Sequence, residues 1–101
     1  MKEQKLNRSG KRPLAFIGKE IAEESSRDHN STRWVKATVF ETDKGKVIVG
    51  IVHATCWQGE HDRFTAEVFT SRERAMDHIE DEAPAIAEEI SSKLGVSEMV
   101  Q

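Results

Sequence analysis

Three side chains with metal-ligating chemistry lie close together in the sequence: His53, Cys56 and His61. Imidazole nitrogen and thiolate sulfur are ligands that zinc prefers in proteins. However, the spacing of His53 and Cys56 on a predicted strand turns their side chains to opposite faces. Asp62 or His78 would have to complete the site, and no paired Cys-x-x-Cys is present. We therefore predict no metal site and no cofactor.

Cys56 also has the chemistry of a nucleophile, with His53, His61 or His78 as its general base. A free cysteine more often behaves as a small buried hydrophobic residue, and no wider catalytic motif surrounds this one. The sequence therefore predicts no catalytic residue and a protein that is not an enzyme. A small thiol or metal-dependent enzyme centred on Cys56 is kept as an alternative function.

The bulk composition is that of a small polar domain. The chain has 101 residues, of which 33% are charged and 37% hydrophobic. A single cysteine allows no internal disulfide, residues 1–13 lack the apolar run of a signal peptide, and no stretch approaches a membrane helix. These features predict a cytoplasmic protein without a membrane association.

Charge is distributed unevenly along the chain. Residues 1–50 carry a net charge of +4 and residues 51–101 a net charge of −7. Residues 1–12 contain little apolar material, so they are predicted to be a disordered basic arm. The arm could neutralise phosphates, which makes a nucleic-acid-binding regulator a second alternative; its basic side chains are Lys2, Lys5, Arg8, Lys11 and Arg12. It has no interleaved aromatic residues for base stacking, so nucleic acid ranks below protein as a partner.

Four segments have the pattern of strands. Residues 14–21 are apolar with an interruption at Gly18, which indicates a bulge or bend, and a short helix over 17–24 is the alternative. Residues 33–41 alternate, residues 46–57 are apolar on both faces and predict a central strand, and residues 63–69 alternate again. Turn residues separate these segments.

A helical pattern follows. Thr70 and Glu73 have the spacing of a capping box, and apolar residues then recur at intervals of three and four up to Leu94. Pro84 must kink this helix or begin a second one, so we favour helices over about 71–81 and 84–94. The predicted fold class is α+β: a four-stranded antiparallel meander with a C-terminal helix or helix pair (about 71–94) packed on one sheet face. One domain then covers residues 13–95, and residues 96–101 are a frayed tail.

Two groups of residues are candidates for protein binding. The aromatic residues Trp34, Phe40, Trp57 and Phe69 either pack under the helices or mark an exposed contact face, and the sequence leaves both open. The acidic residues Glu80, Asp81 and Glu82 offer a charged helical surface that would steer association with a basic protein. The exposed edges of a meander also predict a homodimer.

Several short runs resemble accessory proteins carried by plasmids, phages and integrative elements. They cover roughly residues 14–70 and comprise 16–26, Arg33-Trp34, 39–42, Gly45-Lys46 and 55–60. The resemblance implies a mobile-element gene whose product blocks host defence, as anti-CRISPR proteins do, and it carries over no site residues. Our leading hypothesis is thus a non-enzymatic protein-binding module that occupies a surface of a larger bacterial protein or complex.

Overall fold

A computed structural model describes residues 2–96, which form five strands followed by two helices. The strands are β1 (Lys2–Arg8), β2 (Lys11–Ser25), β3 (Arg33–Thr42), β4 (Val47–Thr55) and β5 (Arg63–Phe69). The helices are α1 (Arg72–Glu82) and α2 (Pro84–Leu94). All strands pair antiparallel with their sequence neighbours, in the order β1-β2-β3-β4-β5. The α+β class, the antiparallel meander and the C-terminal helix pair are confirmed, but the sheet has five strands instead of four.

The additional strand lies where the sequence predicted a disordered arm over residues 1–12. Residues 2–8 form β1, Gly10 takes a positive φ of 75° in the turn, and β2 begins at Lys11. The low apolar content of this segment led to the wrong prediction of disorder. The segment is ordered because it forms a hydrogen-bond ladder with β2 and because Leu6 makes an apolar contact with the sheet. The tail predicted over 96–101 lies outside the described residues, except for Val96.

β2 changes its pairing partner halfway along its length. Residues 11–18 pair with β1, whereas residues 18–25 pair with β3. At Gly18 the strands approach so closely that a Cβ would stand 2.8 Å from the Glu41 carbonyl oxygen, and a bulge follows between Glu20 and Ala22. Glycine and a bulge both permit a sharp bend. Residues 2–17 therefore form a two-stranded ribbon that folds back over the sheet.

One face of the sheet packs against the helices. Alternate residues of β3 and β4 point to this face and meet the apolar stripe of α1 and α2 in a single core; the largest fully buried members are Val39, Val47, Val49, Ile51, Ile79 and Ile90. The alternating pattern of β3 did not show which of its two faces packs against the helices. In the structure, Val35, Ala37 and Val39 lie on that face.

The opposite face carries a second, smaller apolar layer covered by the ribbon. Phe16 of β2 meets Phe40 of β3 edge to face, with ring centroids 5.1 Å apart. Leu6 of β1 lies over Gly50 of β4. At the end of the ribbon, the Ser9 amide donates to the Phe64 carbonyl at 2.8 Å, and the Phe64 amide donates to the Ser9 hydroxyl at 2.8 Å. These contacts join β1 to β5 and curl the sheet into a half-barrel.

The helix boundaries agree with the sequence pattern to within one residue. Ser71 caps α1 by accepting a hydrogen bond from the Arg74 amide, where the sequence pointed to Thr70. Ala83 alone separates the two helices, and Pro84 occupies the start of α2, so it begins a second helix and does not kink one. Gly95 ends α2 with a φ of 69°. None of the helices in the described residues is long and apolar enough to cross a membrane.

Candidate protein-binding surfaces

The four aromatic candidates lie in four different environments. Phe40 is only 6% exposed because Phe16 covers it, and Phe69 is half-buried against His78 with ring centroids 5.1 Å apart. Trp34 is half-buried beneath the Arg27 guanidinium, which lies 4.2 Å from the ring centroid. Trp57 is 52% exposed. The structure thus gives no continuous aromatic face, and Trp57 is the only one of the four with an exposed side chain.

Trp57 belongs to the β4–β5 loop, which is fixed by a polar network around Glu60. The Glu60 carboxylate accepts hydrogen bonds from Arg33 Nε (3.1 Å) and Nη2 (2.6 Å) and from the Thr55 hydroxyl (2.5 Å). The Thr55 amide in turn donates to Asp62 Oδ1 at 3.0 Å, and the Trp57 amide donates to Thr55 Oγ1 at 3.1 Å. Side chains of β3 (Arg33), of β4 (Thr55) and of the loop itself (Glu60, Asp62) therefore stabilise the β4–β5 loop together.

The same network decides what Glu60 can do chemically. The Arg33 guanidinium, and after it the Thr55 hydroxyl, lowers the pKa of the Glu60 carboxyl below its usual value. Glu60 raises the pKa of Arg33 in return. A general base works best with a pKa near the operating pH, so an ion-paired carboxylate of lowered pKa is suited to holding a loop.

A shallow groove of about 630 Å³ lies beside this network. Its lining includes Arg33, Val35, His53, Glu60, His61 and Arg63. His53 Nε2 is buried without a hydrogen-bond partner, and the nearest carboxylate oxygen, Glu82 Oε2, is 4.0 Å away. Burial, with help from the Arg63 charge, lowers the pKa of His53, while Glu82 opposes that shift.

The residues considered for zinc or thiol chemistry do not converge. Cys56 is exposed in the loop after β4, where its amide donates to the Thr32 carbonyl at 2.9 Å. His53 lies on β4 and His78 on α1, against Phe69. Within residues 2–96, no group of three or more histidine, cysteine and carboxylate side chains is placed to hold a metal ion.

The acidic candidates form the last turn of α1. Glu80, Asp81 and Glu82 are all exposed, and no basic residue lies in that turn. The carboxyl end of a helix carries a partial negative charge, so three carboxylates there oppose the helix dipole. No basic side chain of that turn offsets the repulsion, and the amino end of α2, which begins at Pro84, carries the opposite partial charge.

An apolar groove adjoins this acidic turn. It has a volume of about 360 Å³ and runs between α1 and α2, where Met76, Pro84 and Ala87 line it together with Glu80 and Glu88. Arg72 and Lys93, two basic residues of the helices, point back to the sheet: Arg72 pairs with Glu41 at 3.2 Å and Lys93 with Glu24 at 2.9 Å. The third basic residue of the helices, Arg74, is exposed near the start of α1, so the outer helical surface around the apolar groove is predominantly but not wholly acidic. The sequence pattern indicated this property only through its charges.

The basic candidates all lie on the ribbon. Lys2, Lys5 and Arg8 belong to β1, and Lys11 and Arg12 begin β2. Arg8 Nε donates to the Arg12 carbonyl at 2.8 Å across the turn. Their charges are thus carried by an ordered ribbon on the side of the sheet opposite the acidic helices.

Comparison with known proteins finds no family, no curated protein and no solved structure that matches this chain.

Proposed function

We propose that this protein is a non-enzymatic protein-binding module whose acidic helical surface binds a basic surface on a larger bacterial protein. The observation that carries the proposal is the last turn of α1, where Glu80, Asp81 and Glu82 oppose the helix dipole without a cation in the turn. A partner that supplies lysine or arginine side chains would relieve this repulsion on binding.

The groove between the helices gives the second element of a binding site. Interfaces combine an apolar centre with a polar rim, and here Met76 and Ala87 line a groove whose rim includes Glu80 and Glu88. An apolar side chain flanked by basic residues is the matching feature on the partner. Opposite charge also speeds the encounter of two proteins, which suits a protein that must reach its target quickly.

The class of partner rests on the resemblance to accessory proteins of mobile elements. We propose a host defence complex, blocked because the acidic helices occupy a basic surface on it. Defence complexes that act on nucleic acid need basic surfaces for phosphate contacts, and those surfaces are complementary to carboxylates.

The test uses charge substitutions that separate binding from folding. The full chain and its Glu80→Gln/Asp81→Asn variant are used as baits in bacterial lysate, and any captured protein is then purified for titration. We expect the variant to bind at least about tenfold more weakly while its Tm stays the same or rises by up to about 5 °C, since the carboxylates of the turn no longer repel one another.

A matched control removes the same charge elsewhere. Glu67 of β5 and Asp43 of the β3–β4 turn are exposed carboxylates on the sheet, and a Glu67→Gln/Asp43→Asn variant should bind as the unmodified chain does. Equal affinity of the helical variant and the unmodified chain, or an affinity that does not change with salt concentration, would contradict the proposal.

A further inference from the structure

A free strand edge lies on the ribbon, at the part of β2 that precedes Gly18. Residues 11–17 pair with β1 on one side, and β3 begins its pairing with β2 only at Gly18. Among these residues, only the Arg12 carbonyl has a hydrogen-bond partner outside the β1 ladder. At about 3.3 Å per residue, the seven positions offer an edge of roughly 23 Å, long enough for one added strand.

The outward side chains along this edge are partly apolar. Ile17 is 57% exposed, the highest exposed fraction of any large hydrophobic residue in the described chain, and Pro13 and Ala15 are exposed as well. Because side chains alternate along a strand, these three residues share the face turned away from the sheet. An added strand would therefore find apolar contacts on that face.

The charges around the edge are mostly basic. Lys11, Arg12 and Lys19 belong to β2, and Lys44 and Lys46 lie in the β3–β4 turn, which adjoins Gly18 through its pairing with Thr42. Carboxylates are near as well: Glu3 opposite Ile17 on β1, Glu20 beside Lys19, Glu41 opposite Lys19 on β3, and Asp43 in the same turn. Lys5, opposite Ala15 on β1, adds a further positive charge. The net charge around the edge is therefore positive, and a positive edge favours an acidic segment as its binding partner.

The same charges argue against a second copy of this chain at this edge. Pairing of two copies here would bring two basic surfaces together, and repulsion between like charges across neighbouring strands is destabilising. Self-pairing is further disfavoured by Pro13, which has no amide donor for the ladder, and by the lysines along the edge.

We propose that the free edge of residues 11–17 receives an extended acidic segment of another protein by β-strand addition. Main-chain hydrogen bonds to β2 would supply affinity, and carboxylates facing the lysines would supply specificity. This surface lies on the opposite side of the sheet from the acidic helices, so it is independent of the binding function proposed for them.

The probe is the capped heptapeptide Val-Thr-Val-Thr-Val-Glu-Glu, titrated into the ¹⁵N-labelled full chain. Paired antiparallel with residues 11–17, it places valine beside Ile17, Ala15 and Pro13 and glutamate beside Arg12 and Lys11. We expect shifts of the amide signals of residues 11–17 and slower hydrogen exchange there. The same peptide with lysine in place of glutamate should bind at least about tenfold more weakly, as should a version N-methylated at alternate positions, which cannot complete the ladder.

Two charge-reversal variants test the position of the site. Lys11→Glu should weaken binding at least about fivefold, whereas Arg74→Glu, an equal charge change on the exposed side of α1, should leave it within about twofold. Ile17→Ser tests the apolar contact without a change of charge: it should weaken binding of the peptide, and the exposed position of Ile17 keeps the fold intact.

Three results would overturn the proposal. One is the absence of shifts at residues 11–17 with millimolar peptide, and another is equal binding of the glutamate and lysine peptides. The third is a set of shifts at the same amides with a short DNA duplex but not with the acidic peptide. That result would make the ribbon a nucleic-acid site.

Discussion

Leu6 packs into the space that Gly50 leaves open in the centre of β4. A Cβ built on Gly50 would stand 3.0 Å from Leu6 Cδ1 and 3.3 Å from Cδ2. The ribbon thus rests on the central strand through a leucine and the missing side chain of a glycine, and neither residue performs this role without the other.

A double-mutant cycle tests this relationship. Gly50→Val should lower the free energy of unfolding by about 1–2 kcal/mol, because overpacking displaces Leu6 and exceeds the gain from a better strand former. Leu6→Ala should cost about 1–2 kcal/mol, less than a fully buried leucine, since Leu6 is half-buried.

The informative quantity is the change in the free energy of unfolding that Gly50→Val causes in the Leu6→Ala background, and in particular its sign. There the space is vacant, so Gly50→Val should stabilise the protein, as measured by urea unfolding. Additive effects of the two changes would show that the side chains do not meet.

Pro84 offers a test of the two-helix arrangement. At the first position of α2 its missing amide donor costs nothing, so Pro84→Ala should change the free energy of unfolding by less than about 0.5 kcal/mol. A proline inside one continuous helix would instead cost about 3 kcal/mol, and its removal would raise stability by a comparable amount. Chemical denaturation of the two proteins distinguishes these outcomes.

His53 predicts a dependence of stability on pH. Its pKa is lowered in the folded state, chiefly by burial and also by Arg63, so the unfolded chain binds a proton more readily. The free energy of unfolding should therefore fall as pH drops below about 6.5, the ordinary value for histidine, and level off below the folded pKa.

A His53→Gln variant should lose this part of the pH dependence because glutamine does not titrate. His29, exposed in the β2–β3 loop, provides the matched control, and His29→Gln should keep the full dependence. Identical pH profiles for the two variants between pH 7.5 and 5 would assign the effect to another group.

Trp57 and Trp34 should differ in their access to a quencher. Trp57 is 52% exposed, whereas Trp34 is half-buried under Arg27. Iodide should therefore quench the fluorescence of the unmodified chain mainly through Trp57, and a Trp57→Phe variant should show a much smaller quenching constant. Strong quenching in that variant would mean that Trp34 is open to solvent.

The elements that follow a local rule could be predicted from the sequence. β5 has the predicted bounds of 63–69, and the helices begin and end within one residue of the predicted positions, because alternation, spacing of three and four, and Pro84 are visible locally. The sequence prediction placed the N-cap of α1 at Thr70, one residue before the observed Ser71, because both hydroxyl side chains have the same capping chemistry.

The features that depend on distant pairs could not be predicted. Leu6 is the single apolar residue of β1, and its partner Gly50 has no side chain to mark the contact. Phe40 looks like a surface aromatic residue until Phe16 folds over it. The acidic turn was visible as a charge run, but the groove beside it arises only when α1 and α2 pack together.

The ribbon also constrains the order in which the chain can fold. Its turn forms from neighbouring residues, yet the hydrogen bond from the Phe64 amide to the Ser9 hydroxyl joins positions 55 residues apart. Contacts of such separation form late, because the intervening loop must be closed before they are gained. The ribbon precedes β5 in the chain but is therefore among the last elements to dock, and until it docks its own lysine and arginine side chains keep it hydrated.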